Sequence, residues 1–150
     1  MKTAALPKKL DLRGLAARGA TVSGTVAPGE LPRLDEAGVA LAGPLMASFS
    51  LRRDENSRSV VAAEVKATLT MQCQRCLGEV SVPLTTSSTM ACVWTDDEAA
   101  SLPAFYEPLP VADEAVLRDI VEEEILLALP SFPTHETECK TRDQFAALEP

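Results

Sequence analysis

The chain has 150 residues, 46% of them hydrophobic and 24% charged, enough for one moderate core but not for two full domains. Its 22 acidic and 14 basic side chains leave a net charge of −8 and a pI near 4.7. That balance works against non-specific attachment to phosphate backbones and favours a basic partner, or a nucleic-acid contact confined to a local patch. No apolar run approaches the ~20 residues of a membrane span, and aromatic residues, 4% of the chain, are too few for a base-stacking platform.

Residues 1–7 carry lysine with no apolar stretch behind it, so no signal-peptide pattern is present and a cytoplasmic location is expected. In that compartment thiols stay reduced. Residues 1–18 mix basic side chains with Leu10, Leu12 and Leu15, the pattern of a strand and short helix or of a loosely attached basic arm. Residues 20–26 read as a short strand ended by Pro28-Gly29. Residues 32–38 read as a loop carrying Asp35 and Glu36. Residues 39–41 and 45–51 are two more strands, split by Gly43-Pro44, and 52–58 form a charged turn.

The middle of the chain is patterned more sharply. Val61, Ala63, Val65, Ala67, Leu69 and Met71 alternate with Glu64, Lys66, Thr68, Thr70 and Gln72, as one buried and one wet face of a strand require. Val80, Val82, Leu84, Met90 and Cys92 keep one parity of a second strand, and Glu79, Ser81, Thr85 and Thr89 keep the other. Between them lies Cys73-Gln74-Arg75-Cys76-Leu77-Gly78, which the pattern places at the turn of a long antiparallel hairpin. Gly78 is the expected site of positive φ, letting backbone N–H groups face a sulfur.

Residues 95–110, acidic and punctuated by prolines, read as a surface loop. Residues 114–129 carry an apolar stripe at helical spacing (Val116, Leu117, Ile120, Val121, Ile125, Leu127 and Ala128) with Asp113 as N-cap. Glu122, Glu123 and Glu124 lie mostly off that stripe. Consecutive helical residues point about 100° apart, so these carboxylates do not converge and read as a solvated face. Pro130 and Pro133 stop the helix, and residues 140–150 read as a flexible tail. The expected fold is α+β: a mainly antiparallel β-sheet or partly closed barrel, a long hairpin bearing a C-x-x-C knuckle, and one C-terminal amphipathic helix. All of it belongs to a single domain, 1–150.

The chemistry concentrates in few residues, since the chain has only 4 Cys and 1 His. Cys73 and Cys76, with His135 and Cys139 downstream as H-x-x-x-C, supply the four soft or borderline ligands of a tetrahedral structural zinc ion. Cys92 falls on the buried parity of its strand and reads as core. A thioredoxin-like pair needs its first thiol at a helix N-terminus in a βαβ context, whereas here the motif lies between strands. Any histidine-based nucleophilic device would have to use His135, and no Gly-rich phosphate loop is present. The sequence therefore indicates no enzyme and no small-molecule substrate. Basic clusters occur at Lys2, Lys8, Lys9, Arg13 and Arg18, at Arg52, Arg53 and Arg58, and at Arg75 in the knuckle. The N-terminal cluster is the stronger candidate for a phosphate or rRNA contact, because it is dense within an acidic chain.

Cys73-Gln74-Arg75-Cys76, Phe105-Tyr106-Glu107-Pro108, the run from Val121 to Pro130 (VEEEILLALP), and His135…Cys139 follow one another in an order that resembles the YceD (DUF177) family of large ribosomal RNA subunit accumulation proteins. The resemblance covers about residues 60–139 and extends more loosely to the N-terminus. It implies a non-enzymatic factor for accumulation of 23S rRNA, acting in large-subunit biogenesis through a ribosomal protein or an assembling particle. Members of that family usually carry a longer tail than the one formed here by Gln144, Phe145, Ala146, Ala147 and Leu148. A different class also fits the residues: a small zinc-binding or thiol-based regulatory module unconnected with ribosomes.

Overall fold

The computed structural model describes residues 4–112 and 114–135. In chain order its elements are β1 (Lys9–Leu10), α1 (Leu12–Ala17), β2 (Thr21–Val26), α2 (Pro32–Glu36), β3 (Ala40–Leu41), β4 (Leu45–Arg53), β5 (Ser59–Gln72), β6 (Glu79–Val93), α3 (Asp96–Ala100), β7 (Glu107–Pro110), β8 (Ala115–Val116) and α4 (Leu117–Ala128). The alternating segments form the long hairpin that the pattern requires. β5 and β6 pair antiparallel without a bulge from Val60↔Ala91 to Gln72↔Glu79. β4 extends the sheet on the far side of β5 and β2 follows it, both antiparallel. β3 takes the rest of β5 beyond β4, and β7 joins β6 in parallel.

One face of this sheet carries the core. Leu45, Ala47, Phe49 and Leu51 of β4, with Val61, Ala63, Val65 and Leu69 of β5, pack against Leu12 and Ala16 of α1 and Leu117, Ile120, Val121 and Ile125 of α4. Phe49 is wholly buried; removing one such side chain from water stabilises the fold by about 1.5–3 kcal/mol. The opposite face is wet apart from a small cluster in which Val60 and Ala91 meet Tyr106. The Tyr106 hydroxyl donates to Asp54 Oδ2 at 3.1 Å and fastens the α3–β7 connection to the β4–β5 turn.

Several sequence expectations are corrected. The sheet is open, not a partly closed barrel. The outer side of β2 is taken by residues 4–6, with Leu6 N donating to Thr25 O and Thr25 N to Ala4 O. At the other end, Pro108 and Pro110 deprive β7 of two ladder donors. Closure would need those two edges to pair. Gly24 permits the N-terminal approach, since a Cβ there would lie 2.6 Å from Leu6 backbone atoms. Among the described residues there are also helices besides α4. Residues 32–38 hold α2 where a loop was expected, and 95–110 contain α3 and β7. The C-terminal helix begins at Leu117 because Ala115 and Val116 pair with Leu10 and Lys9 as β8 against β1. Of the two readings of the N-terminal segment, the strand and short helix are present as β1 and α1, and Leu6, Leu12 and Ala16 enter the core. Lys2, the Asp113 cap, Cys139 and the 140–150 tail lie outside the described residues.

Candidate metal centre

The turn between β5 and β6 brings the two thiols of the C-x-x-C motif together. Cys73 N donates to Gly78 O at 2.8 Å, closing the last ladder rung, and Leu77 N donates to Cys73 O at 2.9 Å. Turning the chain this tightly requires one residue in left-handed geometry. That residue is Leu77, at φ 65°, and not Gly78 as the sequence suggested. A Cβ at Gly78 would make only an ordinary 3.6 Å contact with Cys76 Sγ.

After α4, Pro130 and Pro133 turn the chain back alongside this hairpin end. Gln74 N donates to Pro133 O at 2.8 Å, and the Arg75 guanidinium donates to the His135 carbonyl. Those bonds deliver His135 to the thiols. Cys73 Sγ, Cys76 Sγ and a His135 ring nitrogen lie within 4.8 Å of one another, with Cys73 buried and the other two half-buried. His135 Nδ1 is 3.6 Å from Cys76 Sγ. Sulfur and nitrogen ligands of one tetrahedral zinc ion stand about 3.5 Å apart, given bond lengths near 2.3 and 2.0 Å. Nε2 lies 2.8 Å from Glu79 O. A proton on Nε2 donated to that carbonyl leaves the Nδ1 lone pair facing the thiols, the arrangement by which a backbone carbonyl fixes a ligand tautomer. Three residues thus fit a metal ion in position and donor chemistry.

The remaining candidates are dispersed. Cys92 is buried in the core and its thiol is pushed up to about 11, by burial first, with Arg13 opposing; it is not a nucleophile at neutral pH. Lys8, Lys9 and Arg18 are exposed on the N-terminal segment. Arg13 stacks over Trp94 at 3.9 Å. Arg75 is engaged with the His135 carbonyl. Arg58 bonds Asp54 across its turn. Burial raises the Asp54 carboxyl, but the Arg58 and Asn56 N–H groups, the Tyr106 hydroxyl and the Arg58 guanidinium outweigh it and hold it below 3.8.

Glu122–Glu124 do not form a solvated face. Only Glu123 is exposed, because α4 lies between sheet and α2 and both flanking carboxylates turn inward. Glu122 Oε2 accepts from Arg33 N at 2.7 Å and Leu34 N at 3.3 Å, while Oε1 accepts from Arg33 Nε at 3.0 Å. It caps α2, which has no side-chain cap of its own. The bond to Glu122, and then that to Glu123, raises the Arg33 guanidinium above its usual value. Glu124 is raised above 4.5 by burial; the neighbouring Ser88 hydroxyl opposes the shift although it falls short of hydrogen-bond geometry, and Glu107 and Glu123 add to it. Arg118, which donates to Leu6 O at 3.0 Å and ties down the N-terminal segment, gave no sequence signal beyond its charge.

The family model for the large ribosomal RNA subunit accumulation protein YceD matches residues 61–148. A Haemophilus influenzae protein of that name is 31% identical over 140 residues, spanning 92% of this chain and 80% of the relative. The chain belongs to the YceD family. No solved structure matches it. The family match spans the hairpin, the metal-ligand candidates and α4, and the relative's alignment extends to most of the chain. Among the described residues no helix is long and apolar enough to cross a membrane.

Proposed function

We propose that this chain is a non-enzymatic accessory factor for 23S rRNA accumulation and large ribosomal subunit biogenesis, acting in the cytoplasm. Membership of the YceD family, through a relative named for that role, carries the reading. The physical chemistry is compatible with it. A body of net charge −8 is attracted to basic ribosomal proteins, and the one histidine of the chain lies with Cys73 and Cys76 in the metal-ligand cluster. The partner is accordingly a large-subunit ribosomal protein or a pre-ribosomal particle. Any rRNA contact falls to Lys8, Lys9, Arg13, Arg18 and Arg75.

Zinc is the structural cofactor in this reading, held by Cys73, Cys76, His135 and Cys139. It ties the hairpin end to the segment after α4, two parts of the chain otherwise joined there by a few hydrogen bonds. A metal-dependent regulatory module unconnected with ribosomes is the second reading, favoured by the same cluster. A tagged pull-down from growing cells at moderate salt, with and without ribonuclease, separates them. Recovery of large-subunit proteins supports the assembly role, and a ribosomal protein retained after ribonuclease places the contact on protein. Recovery of no ribosomal component overturns the role and leaves the metal module.

A further inference from the structure

Among the described residues β6 has β5 along one side, while on the other β7 reaches only Met90–Val93. The stretch 81–88 therefore runs without a strand neighbour on that side for about 26 Å. The two ends of the sheet differ in this respect, since residues 4–6 already cover the outer side of β2. The hairpin register fixes which groups face outward. Cys73 N donates to Gly78 O, so by the alternation of an antiparallel ladder residues 79, 81, 83, 85 and 87 turn their backbone away from β5. Two observations agree with this parity. Glu79 O meets the His135 ring on that side, and Pro83, which has no N–H to offer, occupies an outward position. Ser81, Thr85 and Ser87 are exposed.

We infer that the 81–88 edge of β6 accepts an extended basic segment of a partner protein as an added strand. Such addition supplies main-chain hydrogen bonds for affinity and leaves side chains to set specificity. The charge around the edge selects the occupant. Glu79 begins it, Glu64 lies opposite Ser87, Glu107 stands beside Met90 at its far end, and Glu124 lies by Ser88. The nearby cation Lys66 is within 3.6 Å of Glu64 and so is already partly neutralised. Thr86 Oγ1, buried in the middle of this stretch, has no hydrogen-bond partner among the described residues. A second copy of this chain would bring another −8 and a repeated Glu79 to the same edge, and RNA would bring phosphates. A lysine- and arginine-bearing strand meets attraction instead. The kind of partner rests on the assembly reading above; the edge itself rests on the register.

The test uses the full chain, an 11-residue peptide of alternating lysine and valine, and the purified protein fraction of large ribosomal subunits. Amide exchange of Ser81, Thr85 and Ser87 is expected to be fast in the free protein and to slow at least about tenfold with the peptide. Ser87→Pro, which removes an outward donor that no strand of the described residues takes up, is expected to weaken peptide binding about tenfold while β5 amides stay protected. Ser87→Lys supplies a second variant that keeps the backbone and opposes the occupant by charge alone. Protection of those three amides in the free monomer, protection that grows with protein concentration without peptide, or peptide protection confined to other residues overturns the inference. Undiminished capture of ribosomal proteins by both Ser87 variants also overturns it while leaving the assembly reading standing. Peptide binding at the edge, with no ribosomal protein captured by the wild type, sinks the assembly reading instead.

Discussion

Glu122→Ala tests whether α2 exists because of α4. Two backbone donors at the start of α2, Arg33 N and Leu34 N, end on Glu122 Oε2, and Leu31 at the N-cap position has no side chain able to replace it. Losing a helix cap costs about 1–2 kcal/mol; the buried Leu34 N is not stranded, because it also donates to Leu31 O at 3.2 Å. The expected loss is thus about 1–2 kcal/mol, or a melting temperature lower by about 2–8 °C for a chain of this size. The matched control is Glu123→Ala. It breaks a solvent-exposed ion pair with the same arginine, at 2.9 Å, and should shift the midpoint by less than about 2 °C. Glu122→Gln keeps one acceptor oxygen for the backbone and should fall between them. Scanning calorimetry of the three variants at pH 7 decides the matter. Equal and small shifts for Glu122→Ala and Glu123→Ala would show that α2 is held by its own sequence and that the capping argument is wrong.

Chelation of a structural zinc should lower the melting temperature and expose Cys76 to alkylation, with Cys76→Ser or His135→Ala making the protein insensitive to chelator; stability and alkylation rate that ignore both metal and chelator would remove the ion from the account. Glu124 titrates above 4.5 in the folded chain, so the folded state holds its proton longer and stability falls as pH rises from 4.5 through the raised value. Glu124→Gln should therefore raise the melting temperature at pH 7.5 and change it little at pH 4, and a difference of equal size at both would contradict the burial argument. Leu77 sits at φ 65°, where a side chain costs about 1 kcal/mol relative to glycine. Urea unfolding of Leu77→Gly should show a gain of up to that size, whereas Gly78→Ala should be close to neutral; the reverse ranking would return the strained position to Gly78.

The strict alternation on either side of the C-x-x-C motif fixed the hairpin, its register and its buried face, because a period of two leaves a strand one way to hide its apolar side chains. The stripe and the prolines gave α4 and its end, and the scarcity of cysteine and histidine pointed to Cys73, Cys76, His135 and Cys139, of which the first three meet among the described residues. Local pattern said nothing about partners far along the chain. α2 reads as a loop because its N-terminal donors are met by a carboxylate 88 and 89 residues away, and Glu122 and Glu124 read as solvated because helical spacing does not say what stands opposite. The strand β8 shortens the helix through a pairing with β1 that neither segment announces. What the sequence determined alone is therefore the set of elements whose periodicity is long enough to select one buried face. Only the tertiary structure decided which edges of the sheet are covered, which carboxylates are buried, and which short segments become ordered, since each of these depends on a donor, acceptor or apolar surface supplied by a distant part of the chain.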